Sequence, residues 1–281
     1  MRVIRAEVMG MCFGVRDALK IIESIGEPGE VTIYGDLVHN EVVLTGLRER
    51  GFAMAGESER RSLPDTSTVL ITAHGVSDRE RGRLSAGGKR LVDTTCPLVT
   101  RAHQAAKTLQ SQGFHVLVIG RPGHVEVQGI VEDLDQFDII ESEDDVRAYP
   151  STKLGVVCQT TTAERRVEVL RGAIAAHNPD AEIRFIDTVC QPTKEHHRSL
   201  ERLLSEVDAI VVVGGRNSNN TRALVALCRE RGVRCVHVRE TSDLDPGWFD
   251  GVEVVGLTAG TSTLDATIEE VHRAIESFST Y

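Results

Sequence analysis

The chain is written three times over, and that repetition limits the folds open to it. Asp93-Thr94-Thr95-Cys96 recurs as Asp187-Thr188-Val189-Cys190. Both follow short apolar segments that read as strands, residues 90–92 and 183–186, and Cys12 follows a similar segment at 3–8. Beyond each cysteine the apolar residues take helical spacing. Val15, Ala18, Leu19 and Ile22 trace one such face, Leu98, Ala102, Ala105 and Leu109 a second, and Leu200, Leu203, Leu204 and Val207 a third. A strand ending in glycine comes next, with Gly35, Gly120 and Gly214 lying 23, 24 and 24 residues past their cysteines. Four residues on stand His39, His124 and Ser218, and two further on Glu41, Glu126 and Asn220. These loops run into helix patterns at 42–50, 125–134 and 221–231. A last strand in each repeat ends in a polar turn: Thr72-Ala73-His74-Gly75, Cys158-Gln159-Thr160-Thr161 and Thr258-Ala259-Gly260-Thr261-Ser262.

Strands alternating with helices predict parallel sheets covered on both faces. Ligands of such sheets bind at the carboxyl ends of the strands, where all the polar residues just named fall. The expected fold is therefore α/β, with three small domains of mostly parallel sheet in pseudo-threefold arrangement around one central pocket. Their expected bounds are 13–96, 97–186, and 187–281 together with 1–12.

Composition narrows the function. A formal charge of −10 and a pI near 5.5 argue against nucleic acid or an anionic membrane as partner. No apolar run approaches the roughly 20 residues that span a bilayer, and the first residues show no signal-peptide core. Six cysteines in 281 residues do not make a disulfide framework. They read as reduced thiols of a cytoplasmic protein.

One cysteine per repeat, each just ahead of a helix, suits metal binding. Pro97 and Pro192 fit a first helical turn. A helix N-terminus favours thiolate and offers free N–H groups to sulfides. Three thiolates on three irons of a cubane leave the fourth iron open to a substrate, whereas clusters normally take four cysteines. Cysteine is also a common packing residue. That is the expectation for Cys228 and Cys235, outside the repeated positions, and for Cys158, whose counterparts are read as Thr72 and Thr258. Three ligands plus water is equally the pattern of catalytic zinc. A zinc-dependent hydrolase or lyase therefore stands beside the iron–sulfur reading, as does a cluster-bearing electron carrier without catalysis.

His39, His74 and His124, with Ser218, Asn220 and Ser262, place imidazoles, an amide and hydroxyls at loops entering helices, a combination suited to a small diphosphate. Neither a Gly-x-x-x-x-Gly-Lys-Ser/Thr loop nor a Gly-x-Gly-x-x-Gly turn after the first strand is present. Glu126 is the acidic residue expected inside the pocket, where beside Thr160 it could relay protons.

Several segments together resemble one family. They are Gly10-Met11-Cys12-Phe13-Gly14-Val15, Val38-His39-Asn40, Ala73-His74-Gly75-Val76-Ser77 and Thr95-Cys96-Pro97-Leu98-Val99, followed by Gly123-His124-Val125-Glu126-Val127, Gln159-Thr160-Thr161, Asn217-Ser218-Asn219-Asn220-Thr221 and Thr258-Ala259-Gly260. The chain is similar over its whole length to the 4-hydroxy-3-methylbut-2-enyl diphosphate reductases, which end the non-mevalonate isoprenoid pathway. The resemblance implies a 4Fe-4S cluster held by Cys12, Cys96 and Cys190 at the centre of three α/β domains. It implies that the substrate's allylic hydroxyl binds the open iron, that two electrons arrive singly, and that water leaves. Glu126 would be the proton source, with Thr160 and His124 in the relay. His39, His74, His124, Ser218, Asn220 and Ser262 would grip the diphosphate, with Thr160 and Asn219 also on the substrate. A ferredoxin or flavodoxin would supply electrons. The chain departs from the usual family pattern at His196-His197, where Arg-Gln is common, and at Leu264, Cys158 and Asn219. A paralogue acting on another small diphosphate is the alternative within the family.

Overall fold

The computed structural model describes residues 1–38, 40–56, 60 and 62–278. The chain opens with β1 (Arg2–Arg5) and α1 (Phe13–Glu23). The first repeat continues through β2 (Val31–Tyr34), α2 (Glu41–Glu49), β3 (Ala53–Ala55), β4 (Thr68–Ile71), α3 (Asp78–Ala86) and β5 (Arg90–Asp93). The second runs through α4 (Pro97–Ser111), β6 (His115–Ile119), α5 (Val125–Val131), β7 (Phe137–Ile140), β8 (Lys153–Cys158), α6 (Glu164–His177) and β9 (Glu182–Phe185). The third holds α7 (Gln191–Leu204), β10 (Ala209–Val213), α8 (Asn219–Glu230), β11 (Arg234–Val238), β12 (Val254–Ala259) and α9 (Asp265–Ser277).

Three four-stranded sheets result, with orders β3-β2-β4-β5, β7-β6-β8-β9 and β11-β10-β12-β1. Every pairing is parallel. The orders are one topology repeated: the first strand after each cysteine helix is central, the second lies at its edge, and the third pairs on its other side. In the third sheet the fourth place is filled by β1, so the chain's first strand completes its last repeat. The central strands β2, β4, β6, β8 and β10 are nearly or wholly buried, as parallel strands covered on both faces must be. Around the second sheet, one apolar cluster gathers Leu109, Val116 and Val118, and another Leu117, Leu154 and Leu170. By contact density the chain forms two compact units. One takes Asp17–Val38 and Leu44–Cys190 and contains the first two sheets. The other takes the two ends of the chain, with a short stretch around Asn40, and contains the third.

Several sequence expectations shift at their edges. The strand expected over 3–8 ends at Arg5, because pairing with β12 stops at the Arg5–Leu257 register. Val207 lies beyond the end of α7 at Leu204 and packs from the following turn. The counterparts of Cys158 are also not the hydroxyls Thr72 and Thr258. Register sets Tyr34 opposite Ile71, Ile119 opposite Cys158 and Val213 opposite Ala259, so Cys158 corresponds to Ile71 and Ala259. Thr72 lies one residue past this position and Thr258 one before it. Cys158 therefore occupies an apolar position, and it sits fully buried in the core of its sheet. No helix among the described residues is long and apolar enough to cross a membrane.

At the carboxyl end of β2 a polar brace closes the first sheet. The Tyr34 hydroxyl lies 2.5 Å from Glu80 Oε1 and 2.7 Å from the Arg60 carbonyl, and Arg83 donates to Glu80 at 2.7 Å. Burial alone would raise the Glu80 pKa, but hydrogen bonds from Arg83 and Tyr34 and the charges of Arg83 and Arg60 outweigh it and hold the carboxyl low. A carboxyl depressed in the folded state adds stability above its unfolded value of about 4.3, and that stability is lost as pH falls through the folded value. Thermal melts taken from pH 7 down to pH 3 are expected to fall more steeply for the parent than for Glu80→Gln, which lacks the titrating group. Parallel curves would show that the brace contributes nothing.

Candidate active site

The three repeated cysteines are anchored in the same way. Cys96 N–H donates to the Ala73 carbonyl at 3.1 Å, Cys190 N–H to that of Thr160 at 2.9 Å, and Cys12 N–H to that of Thr261 at 3.0 Å. In each case the acceptor lies in the turn just past the third strand of its sheet. Cys96 caps α4 with Pro97 at the first helical position. Cys12 and Cys190 each immediately precede a first turn, those of α1 and α7. None of the six cysteines is in a disulfide, and these three are half-buried. The expectation that a helix start lowers the thiol pKa fails for Cys12. Burial pushes this thiol up, and the N–H groups of Val15 and Gly14 and the Arg16 charge offset it only in part.

In the larger unit a run of contacts joins two of these cysteines. Ala73, the acceptor for Cys96, precedes His74 in sequence. The His74 ring meets His124 edge to face, centroids 5.7 Å apart at 87°. His124 caps α5: its Nδ1 accepts from Glu126 N–H at 3.1 Å, so a neutral ring carries its proton on Nε2. Glu126 is 2% exposed and receives Thr160 N–H on Oε1 at 2.6 Å and Thr160 Oγ1 on Oε2 at 3.0 Å. The Thr160 carbonyl in turn accepts from Cys190 N–H. The sequence placed Glu126 beside Thr160, and here they are hydrogen-bonded twice. The turn at His74 depends on Gly75, whose φ of +71° favours glycine and whose added Cβ would come within 2.9 Å of Thr95.

The other unit presents a different surface at the equivalent strand ends. Ser218 caps α8 by accepting from Thr221 N–H at 3.3 Å, and half-buried Asn219 begins the helix. Asn220 occupies in this repeat the place of Glu126. It is 1% exposed, and neither its Nδ2 nor its Oδ1 has a hydrogen-bond partner among the described residues. An unmet buried amide costs about 1–3 kcal/mol, so a polar ligand at this position would recover that energy. Ser262 is buried, and its carbonyl accepts from Asn40 Nδ2 at 2.7 Å. His39 lies outside the described residues.

Two residues to which the sequence reading gave no role brace these loops. Asn40 caps α2 through Val42 N–H at 3.0 Å while tying its segment to the Ser262 turn. Gln159 is fully buried and accepts from Arg121 N–H at 3.1 Å, fixing the loop that leads to His124. An asparagine just before a helix is a cap signal that could have marked Asn40. Gln159 carries no comparable signal. No three His, Cys, Asp or Glu side chains among the described residues are gathered closely enough for one metal ion. A multi-iron cluster distributes its thiolates over several metals.

Three parallel sheets of one topology, each with a cysteine hydrogen-bonded to the turn past its third strand, define an α/β protein. The model of the LytB protein family matches residues 3–276. A relative from Anaeromyxobacter sp. (strain Fw109-5), called 4-hydroxy-3-methylbut-2-enyl diphosphate reductase, is 34% identical over 274 residues, covering 96% of this chain and 95% of that one. One of the same name from Aquifex aeolicus is 34% identical over 282 residues, 98% and 96% of the two chains. A solved structure of (E)-4-hydroxy-3-methyl-but-2-enyl diphosphate reductase, described as the terminal enzyme of the non-mevalonate pathway, superposes with a TM-score of 0.68 at 33% identity over 99% of this chain and all of the other. The Plasmodium falciparum reductase shares the fold, with a TM-score of 0.89 at 24% identity over 97% of this chain and 87% of that one. This chain belongs to the LytB family.

Proposed function

We propose that this chain reduces 4-hydroxy-3-methylbut-2-enyl diphosphate to isopentenyl and dimethylallyl diphosphates. Each turnover would consume two electrons and two protons and release the allylic hydroxyl as water. The observation that carries this reading is the unbroken run from Cys96 through His74, His124, Glu126 and Thr160 to Cys190, which sets a buried carboxyl between two anchored thiols.

The donor set fits an iron–sulfur cluster. Cys12, Cys96 and Cys190 are half-buried, outside any disulfide and held by one recurring backbone hydrogen bond at helix starts, and soft thiolates are the ligands such clusters take. We assign these three to a 4Fe-4S cluster. When bound, that cluster supplies electrons singly and one iron free of protein ligands as a Lewis acid. The protein's own groups do the rest. Glu126, oriented by both donors of Thr160, delivers the proton. His124 keeps its Nε2 proton for a phosphate oxygen or for the relay. Ser218, Asn219, Asn220 and Ser262 offer hydroxyls and amides to the diphosphate, joined by His39 and His74. Reduced thiols suit a cytoplasmic setting, and a ferredoxin or flavodoxin matches single-electron delivery.

Anaerobic purification followed by iron and sulfide analysis tests the reading. About four irons and four sulfides per chain are expected, with turnover of the hydroxylated diphosphate when a reduced viologen dye supplies electrons. A colourless protein with one zinc per chain would overturn the cluster. A brown protein without turnover would leave it an electron carrier.

A further inference from the structure

One contact outside the run just described bears on three of its members. Gly129 lies on α5 one helical turn beyond Glu126. His103 lies on α4 two turns beyond Cys96, and Val76 stands two residues after His74. These three meet. A Cβ built on Gly129 would fall 3.1 Å from His103 Cε1, 3.5 Å from its Nε2 and 3.5 Å from Val76 Cα. The absent side chain is what lets α5 close on α4 and on the turn that carries His74.

The surroundings keep this a contact of shape rather than charge. His103 is 8% exposed, and its Nε2 is buried without a hydrogen-bond partner among the described residues. Burial pushes its pKa down to about 4, with Lys107 and Arg81 adding to the fall and Asp133 and Asp78 opposing it. The ring is therefore neutral near pH 7. Polar ties fix the helices around it. Ser77 donates to Glu132 at 2.8 Å, Asp133 receives the N–H groups of Asp78 and Arg79 at 2.8 and 3.2 Å, and Lys107 reaches Asp78. With its rim tied in this way, the junction can set the helix spacing only through what fits at its centre.

We propose that Gly129 and His103 are positioning residues, whose contact sets the distance of α5 from α4 and so the placement of the Glu126 carboxyl against Thr160. The proposal rests on Glu126 being the proton source. A misplacement of about 1 Å in a reacting group costs on the order of 100-fold, and the shift forced here is a fraction of that.

Gly129→Ala approaches the contact from α5, and His103→Phe enlarges the ring from α4. In the full-length protein with its iron loaded anaerobically, each is expected to lower kcat about tenfold with KM and iron per chain unchanged. His103→Ala combined with Gly129→Ala should recover most of the loss, because the ring atoms that the new methyl would meet are gone. In a Glu126→Gln background Gly129→Ala should cost nothing more, since two changes acting through one group are not additive. An equal loss in that background, a kcat within twofold of the parent for folded variants, or no recovery in the double variant would overturn the proposal. If Gly129→Ala does not fold, His103→Phe decides alone. Failure of the acid reading is told apart because Glu126→Gln would then turn over normally by itself.

Discussion

Glu126→Gln is expected to leave the protein folded and iron-loaded while lowering its turnover by between about 100- and 10,000-fold, the range a positioned general acid contributes. Geometry makes this substitution informative. Thr160 gives Glu126 two donors, its N–H on Oε1 and its hydroxyl on Oε2. Glutamine keeps the first through its amide oxygen. Its NH2 group can donate to the hydroxyl oxygen, so the second contact survives with its direction reversed. No cavity opens, and the one donor that loses its acceptor is the Thr160 hydroxyl, so the stability cost should be no more than about 1–3 kcal/mol. Only the acidic proton is removed. KM for the diphosphate should stay within a few-fold of the parent, because Glu126 is not assigned to the phosphates. Steady-state kinetics with a reduced dye, alongside an iron assay, give both numbers. Normal kcat would place the proton source elsewhere. A large fall in iron content would make Glu126 a structural neighbour of the cluster rather than an acid.

What the sequence revealed of this arrangement follows from which contacts are periodic. The cysteines, the strand-end glycines and the polar residues at fixed distances beyond them recur, so three copies of one α/β unit could be read directly. Gly35, Gly120 and Gly214 do share one role, each donating its N–H to the last residue of the edge strand, Ala55, Ile140 and Val238. Those edge strands carried no signal of their own. β3 is three residues long and β7 and β11 are only partly buried, so neither length nor alternation marks them. α3 escaped for a related reason. It buries only Leu84 and is held by its Ser77 cap and by acids from beyond α5, which leave no apolar stripe to find. The sequence points the strand-end residues of the repeats towards one pocket but does not give the individual contacts between repeats. Nothing in the order of residues says that His74 meets His124, or that His103 presses on Gly129, because sequence position does not encode the register that brings them together. A helix start suggests stabilisation of the Cys12 thiolate, while the cost of burial, which outweighs it, is visible only once the surrounding atoms are placed.

Of the six cysteines, only three share the anchor, and substituting them one at a time should divide them cleanly. Cys96→Ser and Cys190→Ser preserve the backbone N–H that meets Ala73 and Thr160, so the local fold should persist. A hydroxyl is a poor ligand for iron beside a thiolate. Iron per chain should therefore drop sharply, with turnover lost by more than about 100-fold, the upper end of what losing even a supporting partner of a metal ligand costs. Cys158→Ala and Cys228→Ala serve as controls, and neither is trivial. Cys158 lies beside Gln159 and Thr160, yet its own backbone N–H and carbonyl are both tied to the Thr188 hydroxyl, and its side chain belongs to the core of its sheet. Cys228 is fully buried on α8, with its thiol pKa raised chiefly by the neighbouring Cys235 thiol and then by burial. Removing either should cost about 1 kcal/mol of packing and no iron. Anaerobic iron analysis with a thermal melt on the same samples separates the two kinds of loss. If Cys228→Ala lost as much iron as Cys190→Ser, the recurring hydrogen bond would not mark the cluster ligands. If Cys96→Ser kept its iron, that hydrogen bond would be a feature of the fold alone.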